Sequence, residues 1–229
     1  MKKTMMMLLG AMMLLMMPTN SWAQTPFKTM VKAAKKGDAL AQTKVGNCYF
    51  YGKGVKKSYK KAAKWYKKAA AQDDAVAQFN LGVSYYFGDG VRQNYEKALE
   101  WFMKSASQNH PKAHFFIGFC YSKGYGVEMN LYDAMDWYKK AAKLGDVEAQ
   151  NNLACYYIDG IGLARSNMIV GVDWLRIAAD QGYAPAMYNL GNLYKYGQGV
   201  ARDIDIAKDY FREAAKRGFQ PAIELLKQM

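Results

Sequence analysis

The sequence has little of what builds metal centres, disulfide networks or membrane spans. Its 229 residues include three cysteines and two histidines. After residue 17 no stretch is apolar enough to cross a bilayer, and no stretch alternates apolar and polar residues as a β-strand does. We therefore expect an all-α protein without a cofactor and, once processed, without a transmembrane segment.

What the sequence does contain is a repeat with a period of about 36 residues. Four tryptophans keep this spacing and a tyrosine takes the fifth place, at Trp65, Trp101, Trp137, Trp174 and Tyr210. A small residue recurs at Gly46, Gly82, Gly118, Ala154 and Gly191. Glycine pairs recur at Gly52/Gly54, Gly88/Gly90, Gly124/Gly126, Gly160/Gly162 and Gly197/Gly199. Such a period is typical of a solenoid, in which each unit buries its apolar face only against its neighbours.

Each period predicts two helices joined by a turn. In the second period Ala77 and Leu81 share one helix face, and Gly88 ends that helix because glycine readily adopts the left-handed backbone of a helix end. Asn94 is the predicted N-cap of a second helix. The inner face of this helix comprises Ala98, Trp101, Phe102 and Ala106. We expect Gly82 to let the two helices approach closely, and the tryptophan to fill the space beyond it.

The repeats divide the chain into eight segments. Five helix pairs are expected at residues 39–74, 75–110, 111–146, 147–183 and 184–219. A lone helix in segment 24–38 and a truncated first helix at 220–229 are expected to cap the two ends of the stack. The remaining segment, 1–23, precedes the repeats.

Residues 1–23 have the pattern of a secretory signal peptide. Lys2 and Lys3 precede an uncharged run over residues 5–17, and Ser21-Trp22-Ala23 offers a cleavage site. Such a run spans about 20 Å as a helix, less than a bilayer core of about 30 Å. We therefore expect cleavage near Ala23 and export to the periplasm or the extracellular space. The first cysteine, Cys48, is far from this site, so a lipid anchor is not expected.

The repeat resembles a known family. The run Ala77-Gln78-Phe79-Asn80-Leu81-Gly82, then Gly-x-Gly-Val and a second helix ending near Ala106, is similar to the Sel-one-like repeat (SLR), a relative of the tetratricopeptide repeat. The resemblance covers residues 27–229. It implies a right-handed α/α solenoid of five helix–turn–helix repeats, and an exported, non-enzymatic scaffold that binds an unidentified protein or peptide. Repeat four departs from the pattern, with Ala154 for glycine, Leu163 for valine and one inserted residue after Ala164.

The resemblance also implies a binding groove along the first helices, on the concave side. The positions three before, one after and four after the recurring small residue are expected to face it. The candidate groove residues are Asn47, Phe50, Phe79, Val83, Tyr86, Phe115, Phe119, Cys155, Tyr188 and Asn192. Aromatic side chains are frequent interface anchors, and the two asparagines could hold a peptide backbone. The alternative is that tighter packing buries the rings inside the stack.

Positive charge is concentrated at the N-terminal end of the mature chain. Residues 28–68 contain thirteen lysines and one acid, whereas residues 69–229 contain 17 basic and 18 acidic residues. The candidate basic patch comprises Lys57, Lys60, Lys61, Lys64 and Lys68. It is interpreted either as a solvated polar face or as a contact for an anionic envelope surface, such as lipid headgroups, acidic polysaccharide or an acidic protein. Lysine without arginine does not favour nucleic acid as the partner.

Isolated motifs suggest chemistry, and each has a structural alternative. Ser58 and Lys61 match the Ser-x-x-Lys of penicillin-recognising enzymes, but the companion elements are absent and Ser58 can cap a helix. His110 and His114 have metal-ligand spacing, but no further ligand lies nearby in the sequence. The glycine pairs follow helices rather than strands, which argues against phosphate loops. An envelope hydrolase is thus one alternative function, and a self-assembling structural rod is another.

The cysteines are expected to be free thiols. Cys48 and Cys120 occupy equivalent sites two repeats apart. Helices that pack about 8–10 Å apart place these sites about 20 Å from one another, whereas a disulfide needs Cα atoms within about 7 Å. Cys155 lies one position earlier in its repeat than Cys120 does and should point in a different direction.

Overall fold

The computed structural model describes residues 27–161 and 166–228. Over these two ranges the chain forms twelve α-helices and no strand, which confirms the all-α prediction. The predicted signal peptide, Leu163 and Ala164 lie outside the described residues. The helices are α1 (Phe27–Lys35), α2 (Ala39–Tyr51), α3 (Tyr59–Ala70), α4 (Ala75–Phe87), α5 (Tyr95–Ala106), α6 (Pro111–Lys123), α7 (Leu131–Lys143), α8 (Val147–Asp159), α9 (Met168–Asp180), α10 (Ala184–Tyr196), α11 (Ile204–Lys216) and α12 (Gln220–Leu226).

The helices form an α-solenoid. Each helix packs on the next one in the sequence, and the most extensive contacts are within the pairs α2/α3, α4/α5, α6/α7, α8/α9 and α10/α11. Each repeat is therefore one helical hairpin, with α1 packed on the first hairpin and α12 packed on the last. No helix within the two described ranges is long and apolar enough to cross a membrane.

Short polar residues and glycines set the ends of the helices. Asn94 Oδ1 accepts a hydrogen bond from the Lys97 N–H at 2.7 Å, which confirms Asn94 as the N-cap of α5. Gly88 follows α4 with φ at 79°, a left-handed conformation that side chains with a Cβ disfavour. The turn between the two helices of a repeat is therefore encoded locally.

Gly90 and Gly126, the second glycines of their pairs, also join neighbouring repeats. Gly126 has a φ of 73° and lies against the backbone of Tyr95 in the preceding repeat. A Cβ at Gly126 would lie 2.5 Å from the Tyr95 carbonyl carbon, so any side chain would push the two repeats apart. The glycine pair is a structural turn, as predicted, and in addition a contact between repeats.

The residue that fills the space beside the recurring glycine is not the tryptophan. A Cβ at Gly82 would lie 2.7 Å from the Phe102 ring, which is fully buried, whereas Trp101 is half-buried. The equivalent buried residues in the other repeats are Tyr66, Tyr138, Leu175 and Phe211. The prediction for the tryptophan is wrong because adjacent helix residues point about 100° apart, and only the second of them faces the helix crossing. Trp101 packs instead on the apolar cluster that joins its repeat to the preceding one.

Repeat four inverts the helix crossing. The Cβ position of Gly82 in repeat two is 3.1 Å from the Ala98 carbonyl oxygen. In repeat four the Cβ position of Gly171 is 3.0 Å from the Ala154 carbonyl oxygen. The glycine has moved from the first helix to the second, and Leu175 stands where the other repeats bury a ring. A close crossing therefore requires one glycine, which can lie on either helix.

Candidate binding surfaces

Most of the predicted groove residues of repeats two and three lie inside the stack. Phe79 is 7% exposed, Phe115 is 5% exposed, and Val83 and Tyr86 are also buried. These four side chains cannot anchor a partner without unfolding the junction, which corrects the groove prediction. For these residues the alternative prediction, burial inside the stack, is confirmed, because their side chains pack against neighbouring helices of the stack.

An aromatic cluster joins repeats two and three. The Phe79 ring stacks on His110 with 4.8 Å between centroids, and it meets Phe116 edge-on at 5.5 Å. The Tyr86 ring meets Phe116 and Tyr125 edge-on, each at 5.9 Å. Burial raises the pKa of the Tyr86 hydroxyl well above its ordinary value, so this group stays neutral. The rings thus stabilise the junction and fix the orientation of α4 and α6.

The two asparagines expected to hold a peptide backbone differ. Asn47 is buried, and its Oδ1 accepts hydrogen bonds from the Tyr66 hydroxyl at 2.6 Å and from Asn80 Nδ2 at 3.1 Å. Asn192 is half-buried, and its side chain makes no hydrogen bond within the described ranges. Asn47 is therefore committed to the stack, whereas the amide of Asn192 is available to a ligand.

Four other predicted groove residues are half-buried, at Phe50, Phe119, Cys155 and Tyr188. The Tyr188 ring packs against Phe211 at 5.5 Å and Phe219 at 5.4 Å, so it belongs to the junction with the C-terminal helix. The Phe119 ring lies parallel to Phe115 at the edge of the aromatic cluster, with centroids 6.5 Å apart. Phe119 and Cys155 keep part of their surface accessible.

Of the three predicted groove positions in each first helix, two are displaced by one residue from the open face. In repeat two it carries Val76, which is 44% exposed, together with half-buried Asn80 and Phe87. Asn80 lies two residues before the recurring glycine and Phe87 five after it, rather than three before and four after. We define the open face as Val76, Asn80, Phe87, Phe119, Lys123, Asn152, Cys155, Asp159, Asn189, Asn192 and Tyr196.

A buried ionic cluster, which was not predicted from the sequence, lies between repeats three and four. Lys112 Nζ donates a hydrogen bond to Glu148 Oε1 and lies 3.1 Å from Asp146 Oδ2. Burial raises the pKa of the Glu148 carboxyl, and the charge of Lys112 partly opposes this rise. The signal in the sequence is that Lys112 and Glu148 occupy equivalent places in consecutive repeats, where opposite charges can meet. The cluster ties the two repeats together.

The predicted basic patch is exposed at all five of its lysines. The Lys57 ammonium lies 4.5 Å from the centre of the Tyr59 ring, and the Lys68 ammonium lies 4.8 Å from the centre of the Trp65 ring. Within the described ranges, every ion pair lies at residue 112 or beyond. No acidic side chain of the described chain therefore neutralises this patch by direct contact.

The isolated motifs have structural roles. Ser58 Oγ accepts a hydrogen bond from the Lys61 N–H at 3.3 Å and is the N-cap of α3. His110 Nδ1 accepts one from the Ala113 N–H at 3.3 Å and caps α6. Burial, with a smaller effect of His114, lowers the pKa of His110 to about 4. Across residues 27–161 and 166–228, no three histidine, cysteine or acidic side chains are grouped to hold a metal ion.

All three cysteines are free, as predicted. Cys48 and Cys120 are buried, and Cys155 is half-buried. Burial raises the pKa of the Cys120 thiol to about 12. The Cys120 thiol is therefore protonated at neutral pH and contributes to packing rather than to chemistry.

Comparison with known proteins agrees with this architecture. A family model for the Sel1 repeat matches residues 39–74, 75–110, 111–146, 147–183 and 184–219. The chain is similar to the crystal structure of a Sel1 repeat protein from Oxalobacter formigenes, with 32% identity and a TM-score of 0.78 over 88% of this chain and 86% of that one. No curated protein matches the chain.

Two further solved structures share the fold. One is c5321, a protective antigen of uropathogenic Escherichia coli with an SLR fold, which is 30% identical with a TM-score of 0.80 over 86% of this chain and 42% of that one. Another is the immunity protein Pa5087 from Pseudomonas aeruginosa, which is 25% identical with a TM-score of 0.56 over 80% of this chain and 67% of that one. With five consecutive repeat matches and these structural likenesses, the chain belongs to the Sel1 repeat family.

Proposed function

We propose that this Sel1 repeat protein is an exported, non-enzymatic scaffold that binds a protein or peptide along the open face of its first helices. Sel1 repeats typically serve protein interaction, which supports the general role. The basic start, the short apolar run and the cleavage pattern within residues 1–23 support export.

The observation that supports this site best is the contrast between a fixed interior and unpaired groups on the open face. The aromatic cluster beneath α4 and α6 holds these helices in place, so a partner meets a surface that is already formed. On that surface the Phe119 ring is partly accessible and the Asn192 amide has no hydrogen bond within the described ranges. Tyr196 is 61% exposed at the end of the face. An aromatic anchor together with a free amide suits a peptide segment lying across the repeats.

Affinity capture from an envelope extract tests this proposal. The bait is the mature wild type, the open-face variant Phe119→Ala/Asn192→Ala, or the control Asp136→Ala/Lys139→Ala, whose two positions are exposed on the second helix α7. A partner held by the wild type and the control but lost with the open-face variant is expected. Equal capture by all three proteins would remove the open face as the binding site.

A second candidate function is contact with an anionic envelope surface, which the basic patch favours because its five lysines are exposed and take part in no ion pair within the described ranges. Each lysine close to such a surface contributes about 1 kcal/mol of attraction. The variant Lys57→Gln/Lys60→Gln/Lys61→Gln/Lys64→Gln should therefore lose sedimentation with phosphatidylglycerol vesicles. The control neutralises four exposed lysines elsewhere, at Lys97, Lys104, Lys123 and Lys139. If the two variants sediment equally with the vesicles, the basic patch has no such role.

A hydrolase centred on Ser58 is not favoured by its surroundings. The Ser58 hydroxyl oxygen accepts the Lys61 N–H, while the Lys61 ammonium lies 5.2 Å from the centre of the Tyr49 ring. The lysine is thus directed to an aromatic neighbour rather than positioned to activate the serine. We expect no turnover of a chromogenic β-lactam above the buffer rate. Turnover that disappears in Ser58→Ala would contradict the non-enzymatic proposal.

A further inference from the structure

In three repeats, a pair of glutamines links the first helix to the end of the second. The pairs are Gln42–Gln72, Gln78–Gln108 and Gln150–Gln181, with Nε2–Oε1 distances of 2.9, 2.9 and 2.8 Å. In each pair the second-helix amide is the donor. The first-helix amide in turn donates to the second helix of the preceding repeat, as from Gln150 Nε2 to the Ala142 carbonyl oxygen at 3.2 Å. One amide pair thus ties together three helices.

Repeat three lacks this pair, because His114 and Leu144 occupy the two positions. His114 Nδ1 lies 3.0 Å from the His110 carbonyl oxygen, which can only accept, so Nδ1 carries the proton. The side chain of Leu144 offers no hydrogen bond, and the residue is 40% exposed. A pocket of about 530 Å³ lies beside these two residues, between the ends of α5 and α7. Its lining is Met103, Ala106, Ser107, Asn109, His114, Trp137, Lys140, Lys143 and Leu144.

The lining combines an apolar base with a positive rim. Trp137 forms one wall, and the Lys140 ammonium lies 4.1 Å from the centre of its ring. Lys143 is exposed beside it, and the lining contains no acidic residue. The volume is within the range of small-ligand sites, about 300–1,000 Å³. An anionic group attached to an apolar body is complementary to this arrangement.

The helix ends favour a singly charged anion. Ala106 and Lys143 are the last residues of α5 and α7, so both helices present their C-terminal ends here. A helix C-terminus carries a partial negative charge of about half a unit. These two ends offset part of the charge of Lys140 and Lys143, which disfavours a doubly charged phosphate more than a singly charged carboxylate.

We propose that this pocket, between the second helices of repeats two and three, binds a short peptide segment in which an acidic side chain lies beside an aromatic one. The ring packs on Trp137 and the apolar base, and the carboxylate pairs with Lys140 and Lys143. The site rests on the proposed role as a protein-binding scaffold, but it lies apart from the open face of the first helices. It gives the scaffold a second contact with a defined preference for acidic–aromatic sequence.

Fluorine NMR of the mature protein carrying 5-fluorotryptophan tests the pocket directly. The probe is the peptide acetyl-Phe-Glu-amide, and the Trp137 signal is assigned with Trp137→Phe. We expect a saturable shift of that signal, with a dissociation constant on the order of 0.1–1 mM, and no shift at Trp101 or Trp174. Acetyl-Phe-Gln-amide and acetyl-Ala-Glu-amide should each bind at least about tenfold more weakly, because each lacks one of the two contacts. Equal binding of the neutral peptide, or an unmoved Trp137 signal, would overturn the proposal.

The sharpest variant is His114→Gln/Leu144→Gln, which installs the glutamine pair of the neighbouring repeats. It bridges the pocket with an amide pair that the same scaffold already accommodates, so thermal unfolding should confirm an intact fold while peptide affinity falls at least about tenfold. The matched control, Lys104→Ala, removes the lysine–tryptophan contact of repeat two, whose glutamine pair is intact. This control should bind as the wild type does. An intact glutamine-pair variant that binds the peptide normally would contradict the assignment.

The proposals for the pocket and for the open face can be tested independently. Phe119→Ala/Asn192→Ala should leave the affinity for acetyl-Phe-Glu-amide unchanged. Peptides that do not bind, together with a captured partner that needs Phe119 and Asn192, would remove the pocket and leave the proposed function in place. Peptide binding without any captured partner that needs Phe119 and Asn192 would remove the open face as a binding site and leave the pocket in place.

Discussion

Repeats two and four form the same close helix crossing, but the glycine at the contact lies on the first helix in repeat two and on the second helix in repeat four. Repeat two places Gly82 on the first helix opposite Ala98, and Phe102 fills the remaining space. Repeat four carries Ala154 on the first helix and Gly171 on the second, and the larger neighbour of the glycine is Ile158 on the first helix. In both cases a Cβ on the glycine would lie 3.0–3.1 Å from the carbonyl oxygen of the facing alanine.

This difference shows that the repeat requires a glycine and a bulky residue on opposite helices of the crossing, rather than glycine at one fixed position. A close crossing needs one missing side chain at the contact, and the opposite helix supplies the bulk that fills the space around it. Repeat four, which departs most from the sequence pattern, therefore keeps the scaffold. The substitutions that do open a surface are those without a compensating partner, as at His114 and Leu144.

Truncation of the buried ring of repeat two should have the largest effect. Phe102→Ala leaves a cavity at the crossing and should lower the free energy of unfolding by about 3–5 kcal/mol. Trp101→Ala removes a half-buried ring from the adjacent position and should cost about 1–2 kcal/mol. Urea denaturation followed by circular dichroism measures both. A larger loss for Trp101→Ala would contradict the assignment of Phe102 to the crossing.

The first-helix caps of repeats two and four are aspartates, and repeat three replaces them with His110. The folded state holds the pKa of His110 at about 4, chiefly by burial, against about 6.5 in the unfolded state. As the pH falls from about 6.5 to 4, the unfolded state gains a proton that the folded state does not bind. This difference should remove on the order of 2–3 kcal/mol of stability.

The measurement is the free energy of unfolding as a function of pH in the wild type and in His110→Asn, which keeps a capping side chain. The variant should lose less stability between pH 6.5 and 4. Asp74, Asp146, His114 and Lys112 also act on His110 and remain in both proteins, so the difference between the two curves isolates the histidine. Parallel curves would show that His110 does not contribute.

The lysine over each outer tryptophan should have the smallest effect. The Lys104 ammonium lies 4.4 Å from the centre of the Trp101 ring, whereas repeat four has Ile177 at the equivalent place beside Trp174. Lys104→Ile gives repeat two the surface of repeat four and should change stability by about 0.5–1 kcal/mol at most, because exposed cation–π contacts are weak. Thermal unfolding measures this change. A larger loss of stability would show that the contact has a structural role.

Local chemistry made most of the scaffold predictable. Asn94 and Gly88 could be assigned from the sequence because a cap and a left-handed glycine depend only on neighbouring residues. The choice between Trp101 and Phe102 could not, since both are large apolar residues on adjacent positions and only the crossing geometry distinguishes them. The inversion in repeat four was visible as Ala154, but its meaning required the contact with Gly171.

The candidate sites were less predictable because they depend on how tightly the repeats pack. Two of the three predicted groove positions in each first helix were displaced by one residue, so Phe79 is buried and Asn80 lies on the open face. The pocket had a signal in the sequence, since His114 interrupts a series of glutamines. Leu144 likewise replaces a glutamine. That the two replacements line the same pocket becomes clear only from the packing of the helices.

The complementary crossing is tested most directly by a double-mutant cycle in repeat four. Gly171→Ala would place a Cβ 2.5 Å from Ile158 Cγ1 and 3.0 Å from the Ala154 carbonyl oxygen, and should cost about 1–3 kcal/mol of unfolding free energy. Ile158→Ala alone should cost about 1–2 kcal/mol, because it removes part of a half-buried aliphatic side chain. The double variant removes the side chain that the new Cβ would meet, and should be more stable than the sum of the single losses predicts by at least about 1 kcal/mol. Additivity within about 0.5 kcal/mol would contradict the claim that the two positions act as a pair.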